Sequence, residues 1–147
     1  MISGWAVRCD ARLVGQALIN IVKNAIESIQ ARISQDDART AGHIRVSVIE
    51  EEGQAAVLVE DDGEGLPQHG RERLTEPYVT TRAKGTGLGL AIVKKIMEDH
   101  QGELALEDME PKGARVRLVF AASEIRPPQR SDAADQPLEL SMVSHGA

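Results

Sequence analysis

Three groups of residues in this chain have the types and spacing to handle a phosphate-bearing ligand. The densest is Thr80-Thr81-Arg82-Ala83-Lys84-Gly85-Thr86-Gly87-Leu88-Gly89-Leu90, where glycines alternate with Thr86 and Leu88 ahead of an apolar-periodic run. Glycines at this density let a backbone turn left-handed and come close to a ligand. A helix starting behind them would aim unpaired N–H groups and the positive end of its dipole at an anion. Arg82 and Lys84 stand just upstream, where phosphate charge would be met. The pattern is neither a P-loop nor the dinucleotide fingerprint, since the third glycine comes too early and no Gly-Lys-Ser/Thr follows. Taken alone, the segment reads equally well as a surface loop capped by a helix.

The second group is Asp61-Asp62-Gly63-Glu64-Gly65-Leu66-Pro67, at the end of an apolar run. A carboxylate at a strand end, beside two glycines, is a common way to present an oxygen into a pocket. Tight turns also use Asp-Gly for geometry alone. The third group is Asn20 and Asn24, one helical turn apart and about 40° from each other around the helix. Asparagine is a mediocre helix former, so a pair at half-buried positions must find partners. Either both are satisfied boundary residues, or their amides face a cavity and hold a hydrated cation or phosphate.

These groups need a scaffold, and 147 residues suffice for one domain with a core of its own. Hydrophobic residues make up 41% and aromatics only 2%, so that core must be aliphatic. The net charge of −6 argues against a nucleic-acid-binding surface. A single cysteine, Cys9, excludes an internal disulfide framework and suits a reducing compartment. No apolar run has the length of a membrane span, and the start of the chain lacks a signal-peptide pattern.

Along the chain, Trp5 to Arg8 reads as a short edge strand and Asp10 as an N-cap. Leu13, Val14, Ala17, Leu18, Ile21, Val22, Ala25, Ile26 and Ile29 recur at helical spacing, predicting an amphipathic helix from Ala11 to about Arg32. Ile44, Val46 and Val48 alternate with polar residues as a half-buried strand. A turn at Gly53 leads to a second strand, Ala55 to Val59, paired antiparallel with the first. Gln68 to Leu74 has room for one or two helical turns before Pro77. A helix follows from Leu90 to about His100, with Gln101-Gly102 as its cap. Glu103 to Leu106 and Ala114 to Phe120 read as further strands. Residues 1–122 are therefore expected to form the domain, and 123–147, rich in Pro, Ser and Asp, a disordered tail.

With the order helix, two strands, Asp61 turn, glycine segment, helix, two strands in view, a resemblance becomes specific. Asn20-Ile21-Val22-Lys23-Asn24-Ala25 resembles the N box of the histidine-kinase ATP-binding domain. Asp61-Asp62-Gly63-Glu64-Gly65 matches its first glycine box, and Gly85-Thr86-Gly87-Leu88-Gly89-Leu90 its second. Glu76-Pro77-Tyr78-Val79-Thr80-Thr81-Arg82 is similar to the F box, with Leu74 where a phenylalanine often stands. Lys112-Gly113-Ala114 is similar to the last box. The ordered motifs span residues of about 10 to 120, and the wording of the glycine-rich segment most resembles nitrogen-regulation sensor kinases of the NtrY type. The resemblance implies an α+β fold: a two-layer α/β sandwich of the Bergerat type, with a mixed, mostly antiparallel sheet of about five strands and helices on one face.

The resemblance also implies roles. Asp61 would accept the adenine amino group, with Gly63, Gly65 and Leu66 closing around the base. Asn24 would hold Mg²⁺ through its amide oxygen, with Asn20 on phosphate or metal-bound water and Lys23 facing solvent or ligand. Tyr78, Thr80, Thr81, Arg82 and Lys84 would belong to a lid over the phosphates of ATP. Gly85, Thr86, Gly87, Leu88, Gly89 and Leu90 would supply backbone donors at the helix start. Asn20, Asn24 and Lys84 would be the catalytic set. In related water-hydrolysing ATPases a glutamate precedes the metal-binding asparagine by one turn. Asn20 stands there in this chain and cannot act as a base, which implies phosphoryl transfer to a protein.

None of His43, His69, His100 or His145 is followed by an acidic residue as in a phosphorylatable dimerisation helix. The resemblance therefore implies, as partners, a histidine-containing dimerisation domain of the same kinase and a downstream response regulator. Nucleic acid and direct membrane contact of this segment are not expected. The isolated domain should be monomeric, the parent kinase a homodimer and the location cytoplasmic. Two alternatives have different acceptors: a stand-alone serine kinase of the anti-sigma-factor type, and a non-catalytic nucleotide-binding module.

Overall fold

The computed structural model describes residues 6–35, 41–77, 88–121 and 125–126. Strand β1 (Ala6–Val7) leads into helix α1 (Ala11–Ser34), whose N-cap is Asp10 as expected. The Asp10 carboxylate accepts from the backbone N–H groups of Arg12 at 3.0 Å and Leu13 at 3.2 Å. Such a cap is worth about 1 kcal/mol to a helix start. Ala17, Ile21, Ala25, Ser28, Ile29 and Arg32 are its buried residues, three or four apart along one stripe.

Strands β2 (Ile44–Glu51) and β3 (Gln54–Asp61) form the expected hairpin. Its two-residue turn places Glu52 at φ 53° and Gly53 at φ 76°, the left-handed pair that matches strand twist. A single 3₁₀ turn, Arg71–Arg73, occupies the short helical stretch after the Asp61 loop. Helix α2 (Gly89–Asp99) then precedes β4 (Glu103–Asp108) and β5 (Ala114–Phe120).

The four long strands make one antiparallel sheet in the order β2-β3-β5-β4. Strand β6 (Ile125–Arg126) pairs with β1 in a separate two-stranded sheet. Among the described residues this sheet has four strands, against about five expected, and its pairings are antiparallel. The expected edge strand at Trp5–Arg8 is the two-residue β1, and its partner lies beyond the expected domain boundary at 122.

Both helices cover one sheet face. Ala17 and Ile21 from α1 meet Val93, Ile96 and Met97 from α2 over Val59, Leu118 and Phe120. Phe120 apart, the core is aliphatic, as the composition requires. Cover ends at β2, where Val46 and Val48 share the face of Val59 and Val57 yet stay exposed. The opposite face carries ion pairs: Arg115 reaches Glu60 at 3.0 Å and Glu107 at 3.2 Å, and Arg117 reaches Glu51 at 2.8 Å. Hydrogen bonds that Arg115 donates to the Glu107 and Glu60 carboxylates hold its guanidinium above its usual pKa. Among the described residues no helix is long and apolar enough to cross a membrane.

Candidate functional site

The strand order leaves a cleft beside Asp61, where the turn after β3 passes between α1 and the ends of β4 and β5. Its volume is about 420 Å³, within the range of small-ligand sites. Val59, Val116, Ala114 and Leu106 form its floor, and Ile21, Ala25, Leu66, Leu74 and Leu90 its apolar walls. Asn24 and Asp61 bring polar groups to it, with Gln35, Glu64 and Gln68 also on its lining.

Asp61 is 8% exposed, and its Oδ1 accepts the Gly63 N–H at 2.9 Å. A carboxylate buried this far must be hydrogen-bonded, and such a group discriminates sharply between donor and acceptor ligands. The turn behind it is built by close approach. A Cβ on Gly63 would collide with the Ser28 hydroxyl and stand 2.6 Å from the Ser28 carbonyl carbon. The Glu64 N–H donates to the carbonyl oxygen and the hydroxyl of Ser28, each at 3.1 Å. Gly65 takes φ 84°, in the left-handed region that favours glycine. Gly113, at φ 128°, packs so closely that a Cβ there would overlap the Asp61 carbonyl oxygen and stand 3.0 Å from Asp62 Cα.

Asp62 is the second carboxylate of the turn and points to different partners. Burial pushes its pKa up, but the His43 backbone N–H, the His43 ring and the Arg32 guanidinium outweigh that and leave it below the ordinary carboxylate value.

At the other end of the cleft, α2 begins beside α1. Its N-cap is Leu88, and among the described residues no side chain caps its first turn; a helix N-terminus is a ready place for an anion. A Cβ on Gly89 would lie 3.7 Å from both the Oδ1 and Nδ2 of Asn24, ordinary contact that alanine would tolerate. Space at Gly89 is thus not required by packing within the protein. The side-chain nitrogen of Asn20 is buried and has no hydrogen-bond partner among the described residues, so it could donate to an acceptor such as a phosphate oxygen. An amide oxygen at Asn24 suits magnesium, which takes few protein ligands and prefers oxygen. These residues fit a magnesium nucleotide.

Of the expected site residues, Asn24, Asp61, Gly65, Leu66 and Leu90 line the cleft. Gly63 is packed into the turn that presents Asp61, and Leu88 and Gly89 start α2. Lys23 is exposed on α1 and is not among the lining residues. Tyr78, Thr80, Thr81, Arg82, Lys84, Gly85, Thr86 and Gly87 lie outside the described residues. Sequence reading did not single out Ser28, Arg32, Asp62 or Leu106, and it gave Gly113 no role. Ser28 had a signal, standing four residues after Asn24 on the same helix face.

Comparison with known proteins agrees with this geometry. The family described as histidine kinase-, DNA gyrase B-, and HSP90-like ATPase matches residues 9–124. Nitrogen regulation protein NtrY of Azorhizobium caulinodans is 54% identical over 116 residues, covering 78% of this chain and 15% of that protein. The chain thus spans under one sixth of this relative's length. Among solved structures, mycobacterial sensor histidine kinase MprB superposes with a TM-score of 0.69 at 27% identity, covering 86% of this chain and 79% of that one. The catalytic domain of histidine kinase ThkA gives 0.65 at 32% identity, covering 79% and 70%.

Proposed function

The chain belongs to the histidine kinase-, DNA gyrase B- and HSP90-like ATPase family, and on that premise we propose that it is the Mg-ATP-binding catalytic domain of an NtrY-like sensor histidine kinase. The domain comprises residues 1–122 together with the β6 pairing, and it phosphorylates a histidine on a dimerisation domain of the parent kinase. A response regulator then takes the phosphoryl group. The parent acts as a cytoplasmic or membrane-anchored homodimer.

The observation that supports this reading best is the buried Asp61 carboxylate on the lining of a cleft with apolar floor and walls. A flat purine matches apolar walls, and its 6-amino group gives the carboxylate a donor. Guanine would offer a carbonyl there, setting one acceptor against another beside a buried carboxylate. Asn24 would hold magnesium through its amide oxygen, and Asn20 would donate to a phosphate oxygen. Magnesium supplies charge neutralisation for phosphoryl transfer. Lys84 and Arg82, with Tyr78, Thr80 and Thr81, are assigned to the lid. Gly85, Thr86, Gly87, Leu88, Gly89 and Leu90 offer backbone donors to phosphate. No carboxylate stands at position 20, so the chain positions and stabilises charge and leaves any base to the acceptor's surroundings.

Incubation with γ-labelled ATP and a panel of dimerisation-helix fragments tests this. Label on the histidine of an NtrY-type fragment is expected, in an acid-labile linkage. Label on a serine of an antagonist protein instead, or on no acceptor while ATP is bound, would contradict it.

A further inference from the structure

We propose that Arg32 and Asp62 form a latch that positions Asp61 for base recognition, so that purine selectivity depends on two residues outside the cleft lining. The inference rests on the reading that Asp61 meets the purine 6-amino group.

Asn24, Ser28 and Arg32 recur every four residues, so they stack on one side of α1. Asn24 reaches the cleft and Ser28 takes the Glu64 amide. Arg32 is 1% exposed; its Nη2 donates to the Ala41 carbonyl at 2.9 Å and lies 3.6 Å from Asp62 Oδ1. A guanidinium this deep needs compensating charge, and Asp62 supplies some of it.

Asp62 does more than neutralise Arg32. Its Oδ1 accepts the His43 backbone N–H at 2.8 Å, and its Oδ2 lies 3.1 Å from His43 Nδ1. Its own N–H donates to the His43 carbonyl at 3.3 Å. One carboxylate thereby joins the end of α1, the entry to β2 and the exit of β3. Asp61 is held on its N-terminal side by the ladder to β2 and β5, in register with Ile44 and Ala114. The latch holds it from the C-terminal side, and the Gly63 N–H fixes the carboxylate itself. Recognition by a single buried carboxylate tolerates little displacement, which gives such bracing a functional consequence.

The test is calorimetric titration of the full chain with magnesium ADP and magnesium IDP, whose base carries a carbonyl in place of the 6-amino group. Wild type is expected to prefer ADP. Asp62→Asn should lower ADP affinity about tenfold while leaving IDP affinity nearly unchanged, so the preference narrows. Arg32→Lys keeps the charge and loses the fork, and should retain about a third of the preference. A purely structural role would weaken both nucleotides together. A wild-type preference in a folded Asp62→Asn protein overturns the latch. If Asp62→Asn does not fold, an undiminished preference in Arg32→Lys does the same. A wild type without preference removes the Asp61 reading, and the latch with it.

Discussion

The Glu64 backbone nitrogen donates to Ser28 twice, to its carbonyl and to its hydroxyl, both at 3.1 Å. The turn that carries Asp61 is thereby fastened to α1 at the level between Asn24 and Arg32. Asp61 and Asn24, the residues proposed to read the base and hold the metal, are then tied to the same helix. Gly63 is the residue that allows it, because its Cα lies against Ser28. Gly63→Ala should destabilise the fold by about 3 kcal/mol, since the obstructing atoms include helix backbone that cannot move aside. Ser28→Ala should cost about 1 kcal/mol, because the carbonyl acceptor remains. Urea midpoints of the two variants, read by circular dichroism, give the ranking; equal midpoints would break it.

Asp61→Asn preserves shape while replacing an acceptor oxygen with a donor. ATP affinity should fall about 10- to 100-fold, corresponding to about 1–3 kcal/mol for a mispaired buried group. Calorimetry with ATP measures the loss, and an unchanged thermal midpoint shows that the fold survives.

Asn24→Ala should abolish phosphoryl transfer and remove the magnesium dependence of triphosphate binding. ATP affinity measured with and without magnesium should then coincide. Full transfer to a supplied dimerisation domain by this variant would exclude the metal role of Asn24.

The Asp62 pairing also carries a pH signature. Its carboxyl pKa is lowered in the folded chain, so its contribution to stability is complete above the unfolded carboxylate value of about 4 and disappears as pH falls through the lowered value. Asp62→Asn should therefore be destabilising at about pH 6 and less so at about pH 3. Urea denaturation of both proteins at the two pH values measures the difference, and a penalty that is constant or grows in acid would contradict the pairing.

Much of this organisation is legible in the sequence because the relevant signals are local. The 3.6-residue stripe through Ala17, Ile21 and Ala25 marks α1, alternation at Ile44 to Val48 marks β2, and Asp-x-Gly-x-Gly at a strand end marks the turn. Val46 and Val48 read as the inner side of a half-buried strand, yet both are exposed. Alternation says which side they share, while their exposure depends on α1 not reaching the sheet edge. The β1–β6 pair joins residues more than a hundred positions apart and only two residues long, too short for any periodic pattern. Arg32 and Asp62 were not legible as a unit, since one reads as a helix end and the other fills the variable slot of a glycine box. Gly113 was visible as part of a motif, but its overlap with the Asp61 carbonyl exists only after β3 and β5 pair.

The central claim is that an adenine nucleotide enters the cleft between α1, the Asp61 turn and the start of α2. An amide chemical-shift titration with magnesium ADP tests it most directly. Saturable shifts are predicted at the Asn24 side-chain amide and at Gly63, Gly65 and Ala114. The absence of any saturable shift at millimolar nucleotide, or shifts confined to the Arg115 and Arg117 face of the sheet, would contradict it.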